Sequence, residues 1–157
     1  MADFPTLRIE RARNTDIPAL NELLAGLFAI ESDFFADRGK QSRGLELLLA
    51  QPPDRAIVMV ARSHDDTVVA MASAQLVVST AEGAPPAWIE DVIVVPARRR
   101  QGVAGLLLGE LLKWAQAHGA TRAQLLADNA NTSALEFYDH LGWQPMQLSA
   151  WRRSLHR

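Results

Sequence analysis

The stretch that most constrains this chain is Val94-Val-Pro-Ala-Arg-Arg-Arg-Gln-Gly-Val-Ala-Gly-Leu106. Ahead of it, Trp88–Val95 reads as a strand that Pro96 stops. Behind it, Val103, Leu107, Leu111 and Ala115 form one helical stripe that Gly119 terminates. Ala120–Ala127 is strand-like again, so the whole is one βαβ crossover and its two strands run parallel. The turn in the middle also suits a particular chemistry. A helix start presents unpaired N–H groups and a partial positive charge, which attract an anion. Gly102 lets the backbone approach an oxygen closely, Ala104 keeps the next turn small, and Gly105 repeats the permission. With Arg98, Arg99 and Arg100 in front, the loop fits a diphosphate. It is no Walker loop, lacking Gly-Lys-Ser/Thr, and no dinucleotide fingerprint, having only Gly-x-x-Gly. Glycines placed this way also serve simply to pack a helix on a sheet.

The remainder of the chain supplies the rest of a sheet. Leu7–Ala12 alternates apolar and polar, as a half-buried strand does. Thr15 offers an N-cap, Pro18 fits a first turn, and Ile17, Leu20, Leu24 and Leu27 follow at helical spacing. A second helix ends with Leu45, Leu48 and Leu49 before Gln51-Pro52-Pro53, and Ile30–Arg38 between them reads as either helix or covering loop. Ala56–Arg62 and Thr67–Thr80 form a hairpin around Ser63-His64-Asp65-Asp66, with a further turn at Ala81–Pro86. Ser133 and Glu136 predict a capping box for a short helix through His140, and Gln144–Arg152 reads as a last strand or pair of strands. The order β-α-α-β-β-β-α-β-α-β, without repeat or linker, predicts a single α+β domain over residues 1–157 around a mostly antiparallel sheet.

Composition closes off several classes. The absence of cysteine removes disulfides, thiolate metal sites and cysteine nucleophiles. A net charge of −2 argues against a protein that neutralises a nucleic-acid backbone over a wide face. No stretch approaches the roughly 20 apolar residues of a membrane span, and the first residues lack the features of a signal peptide. A cytoplasmic protein without membrane or nucleic-acid partners is expected. His64, His118, His140 and His156 lie scattered, so no metal site is expected. There is no Gly-x-Ser-x-Gly elbow.

Arg99-x-x-Gly102-x-Ala104, with Val94 five residues before the arginine, resembles the acyl-CoA pyrophosphate loop of the GNAT N-acetyltransferases. A second segment, Asn129-Ala-Asn-Thr-Ser-Ala-Leu-Glu-Phe-Tyr-Asp-His-Leu-Gly-Trp143, is similar to that family's Asn ahead of a short Phe-Tyr helix closing on Leu-Gly-Phe/Trp. The element order matches the GNAT fold over nearly the whole chain. Ile89-Glu-Asp-Val-Ile-Val94 is similar to the glucosamine-phosphate acetyltransferase branch, which leaves the acceptor unidentified.

The resemblance implies acetyl transfer from acetyl-CoA to a primary amine of a small molecule or peptide, or else a non-catalytic acyl-CoA-binding module of the same fold. It implies that the pantetheine arm pairs with backbone at Ile93, Val94 and Val95, and that the amides of Gln101, Gly102, Val103, Ala104 and Gly105 hold the pyrophosphate. Arg99 then fixes the loop and adds field, Arg100 adds charge or stays solvated, and Asn131 bonds the pantetheine amide. Tyr138 stands where the family places the group beside the departing sulfur, although a tyrosine next to Phe137 also fits plain core. Glu90 and Asp91 are the candidate bases; by strand alternation only one of them can face a given cleft. Phe28, Phe34, Phe35 and Trp88 are candidates to line the acceptor pocket, or to be ordinary core. Without cysteine, direct attack in a ternary complex is expected rather than an acyl-enzyme, and a homodimer is compatible with the resemblance.

Overall fold

A computed structural model of the chain describes residues 6–31 and 33–156. Residues 1–5, on which the signal-peptide argument rests, lie outside the described residues, as do Ser32 and Arg157. The elements are β1 (Arg8–Arg11), α1 (Ile17–Ile30), α2 (Arg38–Leu49), β2 (Ala56–Arg62), β3 (Val68–Leu76), β4 (Ala87–Val94), α3 (Val103–Ala117), β5 (Ala123–Gln124) and α4 (Thr132–His140). Two compact parts divide at residue 125 and are taken separately.

The first part holds a five-stranded sheet in the order β1-β2-β3-β4-β5, antiparallel except for the parallel pair β4–β5. All of β2 is buried, which matches its unbroken apolar run from Ala56 to Ala61 and places helices on both faces. Leu20, Leu23 and Leu24 of α1 and Leu45 of α2 pack on Val58, Val60, Met71 and Ile93. The opposite face takes α3, whose Val103, Leu107, Leu108, Leu111 and Ala115 are buried. No helix among the described residues is long and apolar enough to cross a membrane.

Local chemistry moves several boundaries. A 3-10 turn over Asn14–Asp16 precedes α1, so Thr15 is not its cap. Asp16 instead accepts the Arg13 N–H at 2.8 Å and faces Arg62 of β2, which donates to both its oxygens at 3.1 and 2.8 Å. Arg62 also meets Glu10 of β1 at 2.6 Å, and this buried pairing ties β1, β2 and the start of α1 together. β3 ends at Leu76 instead of Thr80, because the chain turns back there and Val77 N–H donates to Pro86. β5 pairs over two residues only, Ala123 and Gln124, instead of the eight expected.

In the second part α4 is capped by Asn131, which accepts the Ala134 N–H at 3.1 Å; the expected Ser133 box gives way because Asn131 begins the helix two residues earlier. No strand forms over residues 144–152. Pro145 has no N–H to give, and Leu148 and Trp151 stand exposed. The rest of the expected order is observed.

Candidate active site

The strand β4 is irregular where its acids lie. Ile93 pairs with Met71 and Glu90 with Ser73, so Ala72 alone faces both Asp91 and Val92. That is a β-bulge, and Asp91 takes it up at φ +56, a left-handed conformation that aspartate tolerates better than most residues. The bulge cancels the alternation from which a single facing acid was expected. Glu90 and Asp91 both line one cavity of about 470 Å³. Burial pushes the Asp91 carboxyl up to about 7, and the charges of Glu90 and Glu31 add to the rise. Glu90 is held differently: the Trp88 indole donates to its carboxylate at 2.7 Å, and Ser73 Oγ donates to its carbonyl at 3.2 Å. A carboxyl near 7 beside one fixed by an indole is a workable base at neutral pH.

Phe28, Phe34 and Phe35 line the same cavity, the first two with ring centroids 5.7 Å apart. Trp88 does not. It lines a separate groove with Val77, Val78, Pro86, Arg122 and Gln124, while its indole N–H donates to Glu90, two residues on along the same face of the strand. Sequence reasoning missed Asp37, Lys40 and Gln75, which also line the cavity. Asp37 could have been found as the cap of α2, where it accepts the Lys40 N–H at 3.0 Å. Gln75 needed the register, which sets it opposite Trp88.

The carboxyl end of β4 has the other half of the arrangement. Pairing with β5 stops at Trp88 and Gln124, just before the bulge bends the strand. Val95 N–H donates to Val69 at 2.9 Å, so the backbone of Val95, and of Ile93 by alternation, faces β3. Val94 therefore turns its N–H and carbonyl toward the opposite edge, past the end of the β5 pairing. Its carbonyl accepts Arg99 Nε at 3.0 Å, a bond that ties the loop after the strand back to the strand's end. Arg100 sits exposed at φ +60 and Gln101 donates to the Ala97 carbonyl at 3.0 Å. Gly102 caps the start of α3 at φ +77, a conformation that glycine adopts more readily than any other residue. The first intrahelical bond runs from Leu106 N–H to Gly102, so the amides of Val103, Ala104 and Gly105 have no partner within the helix. Val103 buries its side chain, and Ala104 and Gly105 are half-buried. An edge amide followed by open helix-start amides fits an extended chain ending in a diphosphate.

Within the second part, Asn131 spends Oδ1 on the helix cap, which leaves its Nδ2 hydrogens to offer a ligand carbonyl. The Tyr138 ring is half-buried and meets Phe137 and Trp143 edge-on at 5.2 and 5.9 Å.

A family model for the acetyltransferase (GNAT) family matches residues 24–143. No curated protein matches the chain. Among solved structures, a possible acetyltransferase from Clostridium difficile 630 superposes with TM-score 0.84 at 18% identity, over 96% of this chain and 99% of that one. An aminoglycoside N-acetyltransferase in complex with CoA gives 0.80 at 17% identity, over 99% of both chains. Glucosamine-6-phosphate N-acetyltransferase from Arabidopsis thaliana gives 0.75 at 18% identity, over 94% and 98%. At these identities the shared property is the fold.

Proposed function

Because the chain belongs to the GNAT acetyltransferase family, we propose that it works in the cytoplasm as an N-acetyltransferase, moving acetyl from acetyl-CoA to a primary amine by direct attack. We take residues 1–157 as one such domain, supported by a family match that runs across residue 125. The observation that carries the reading is in β4. One strand presents an outward-facing backbone N–H at Val94 and, three residues earlier, a bulged acid facing a cavity. Three strand residues span roughly 10 Å, a short reach between a cofactor arm and an acceptor.

Acetyl-CoA, when bound, supplies the acetyl group as a thioester. The chain's own residues then have three tasks. The acceptor arrives as an ammonium and must lose a proton before its nitrogen can attack; Asp91, near 7, takes it directly or through water. The carbonyl oxygen gains charge as the C–N bond forms, and backbone N–H groups on the free edge of β4 stabilise it. The C–S bond breaks and the sulfur takes a proton from the Tyr138 phenol, a role assigned on the motif from Asn131 to Trp143; the attacking nitrogen gives up its second proton, which restores the phenol by way of water. The amides of Gln101 to Gly105 hold the pyrophosphate, Val94 orients the pantetheine, and Arg99 keeps the Val94 carbonyl in place; Asn131 is assigned to the pantetheine amide on its motif alone. Glu90 holds the acceptor's ammonium while Trp88 holds Glu90.

The test is incubation with acetyl-CoA and a panel of primary amines, with acetylated amine identified by mass spectrometry and free CoA measured alongside. Matched formation of both is expected. Tight acetyl-CoA binding with no acetylated amine across polyamines, arylalkylamines, amino sugars, aminoglycosides and peptides would instead indicate a binding module.

A further inference from the structure

The acceptor cavity has a charge balance that proton removal alone does not require. Asp37, Glu90 and Asp91 line it against one cation, Lys40, and no arginine lines it among the described residues. Asp37 is held below the usual carboxylate range, chiefly by the Lys40 N–H that caps onto it, so it is ionised at neutral pH. Glu31 adds its field from the end of α1. Gln41, Gln51 and Gln75 add neutral polar groups, and the apolar part of the wall is Leu24, Leu45 and Leu48 beside the tilted pair Phe28–Phe34. Aromatic faces attract cations, and an apolar wall welcomes a hydrocarbon body.

An amine with a carboxylate or phosphate nearby would set that anion against this field without the arginine fork that normally receives one. Like-charge juxtaposition in a partly dry site costs enough to exclude a ligand. We propose that the acceptor is a net-cationic alkylamine or arylalkylamine that has no carboxylate or phosphate. The proposal rests on the reading of this cavity as the acceptor site. It separates this chain's acceptor from an amino-sugar phosphate such as the Arabidopsis neighbour's name states.

The experiment uses matched pairs that differ by one carboxylate, tyramine against tyrosine and cadaverine against lysine. Each is titrated calorimetrically into protein saturated with CoA, so that binding is read without turnover. The amine without the carboxylate is expected to bind at least about tenfold more tightly in both pairs. Asp37→Asn keeps a good helix cap and removes one charge, and should shrink that preference several-fold with the melting temperature nearly unchanged. Equal affinities, a preference for the carboxylated twin, or no binding by either would overturn the proposal. The same pairs are then run with acetyl-CoA. Selective binding without acetylated product leaves the cationic preference standing and removes the transferase reading. Acetylation that favours tyrosine and lysine does the reverse.

Discussion

Glu90 and Asp91 follow one another in β4 and still line the same cavity, because Asp91 absorbs the extra residue of a bulge at φ +56. The arrangement sets two acids side by side, one held by an indole and one driven up toward neutrality by burial. A left-handed residue with a side chain costs about 1–2 kcal/mol, so the site stores strain in return for its geometry.

Asp91→Gly removes that strain together with the acid. Its melting temperature should hold or rise, since glycine occupies φ +56 freely. Turnover should fall about 100-fold or more, the range for loss of a positioned base. Thermal melts and steady-state kinetics on one preparation check both halves; a strongly destabilised but active variant would speak against the account.

Gly102→Asp tests the cofactor loop. A Cβ built at Gly102 meets nothing within 4 Å, so only the φ of +77 opposes a side chain. The fold should therefore survive, at about 1 kcal/mol, while the added negative charge raises the KM for acetyl-CoA at least about tenfold, because like charges repel at an anion site. An unaltered KM would place the pyrophosphate elsewhere.

The buried pair Asp16–Arg62 gives a prediction about stability. Burial works to raise the Asp16 carboxyl, but hydrogen bonds from Arg62 and the Arg13 N–H, with both arginine charges, outweigh it and hold it low. A carboxyl depressed in the folded state stabilises the fold above its unfolded value of about 3.9 and gives that stability up as pH falls through the folded one. Wild-type protein should thus lose stability steeply below about pH 4. Asp16→Asn should flatten that acid limb and cost about 1.5–3 kcal/mol at neutral pH, the range for losing charged hydrogen bonds, because Glu10 still pairs with Arg62. Urea titrations at several pH values measure both effects.

The fold was largely legible because its signals are local. Pro96, Gly102 and the Val103–Ala115 stripe fix where β4 ends and α3 begins, and the hairpin turn before Thr67 announces itself in Ser63-His64-Asp65-Asp66. The loop residues of the candidate site share that property, since Arg99 and Gly102 act within a few residues of their own position. The bulge was not legible. Whether Glu90 and Asp91 share a face depends on the register against Met71 and Ser73 in another strand, and no spacing within β4 encodes it. The place of Trp88 was not legible either: its aromatic type suggested a pocket wall, and only the fold shows that it lines a second groove and has Glu90 as a partner. Thr15 lost the cap to a longer-range demand, the pairing of Asp16 with Arg62.

Tyr138→Phe separates chemistry from packing. The ring stays against Phe137 and Trp143, so acetyl-CoA affinity should barely change. Turnover should fall about 10–100-fold or more if the phenol protonates the leaving sulfur, and the loss should shrink for acyl donors with a more acidic thiol. Full activity would leave that proton to water.

The most direct measurement is the pH dependence of kcat/KM for wild type, Asp91→Asn and Glu90→Gln, using an alkylamine that titrates about three units above the window. With Asp91 as base, the wild-type value rises with pH through about 7 and then levels, since only the ionised carboxylate accepts the proton. Glu90→Gln removes a like charge and should move the inflection to lower pH; Asp91→Asn should abolish it and lower the plateau. A wild-type inflection that persists unchanged in Asp91→Asn would contradict the account.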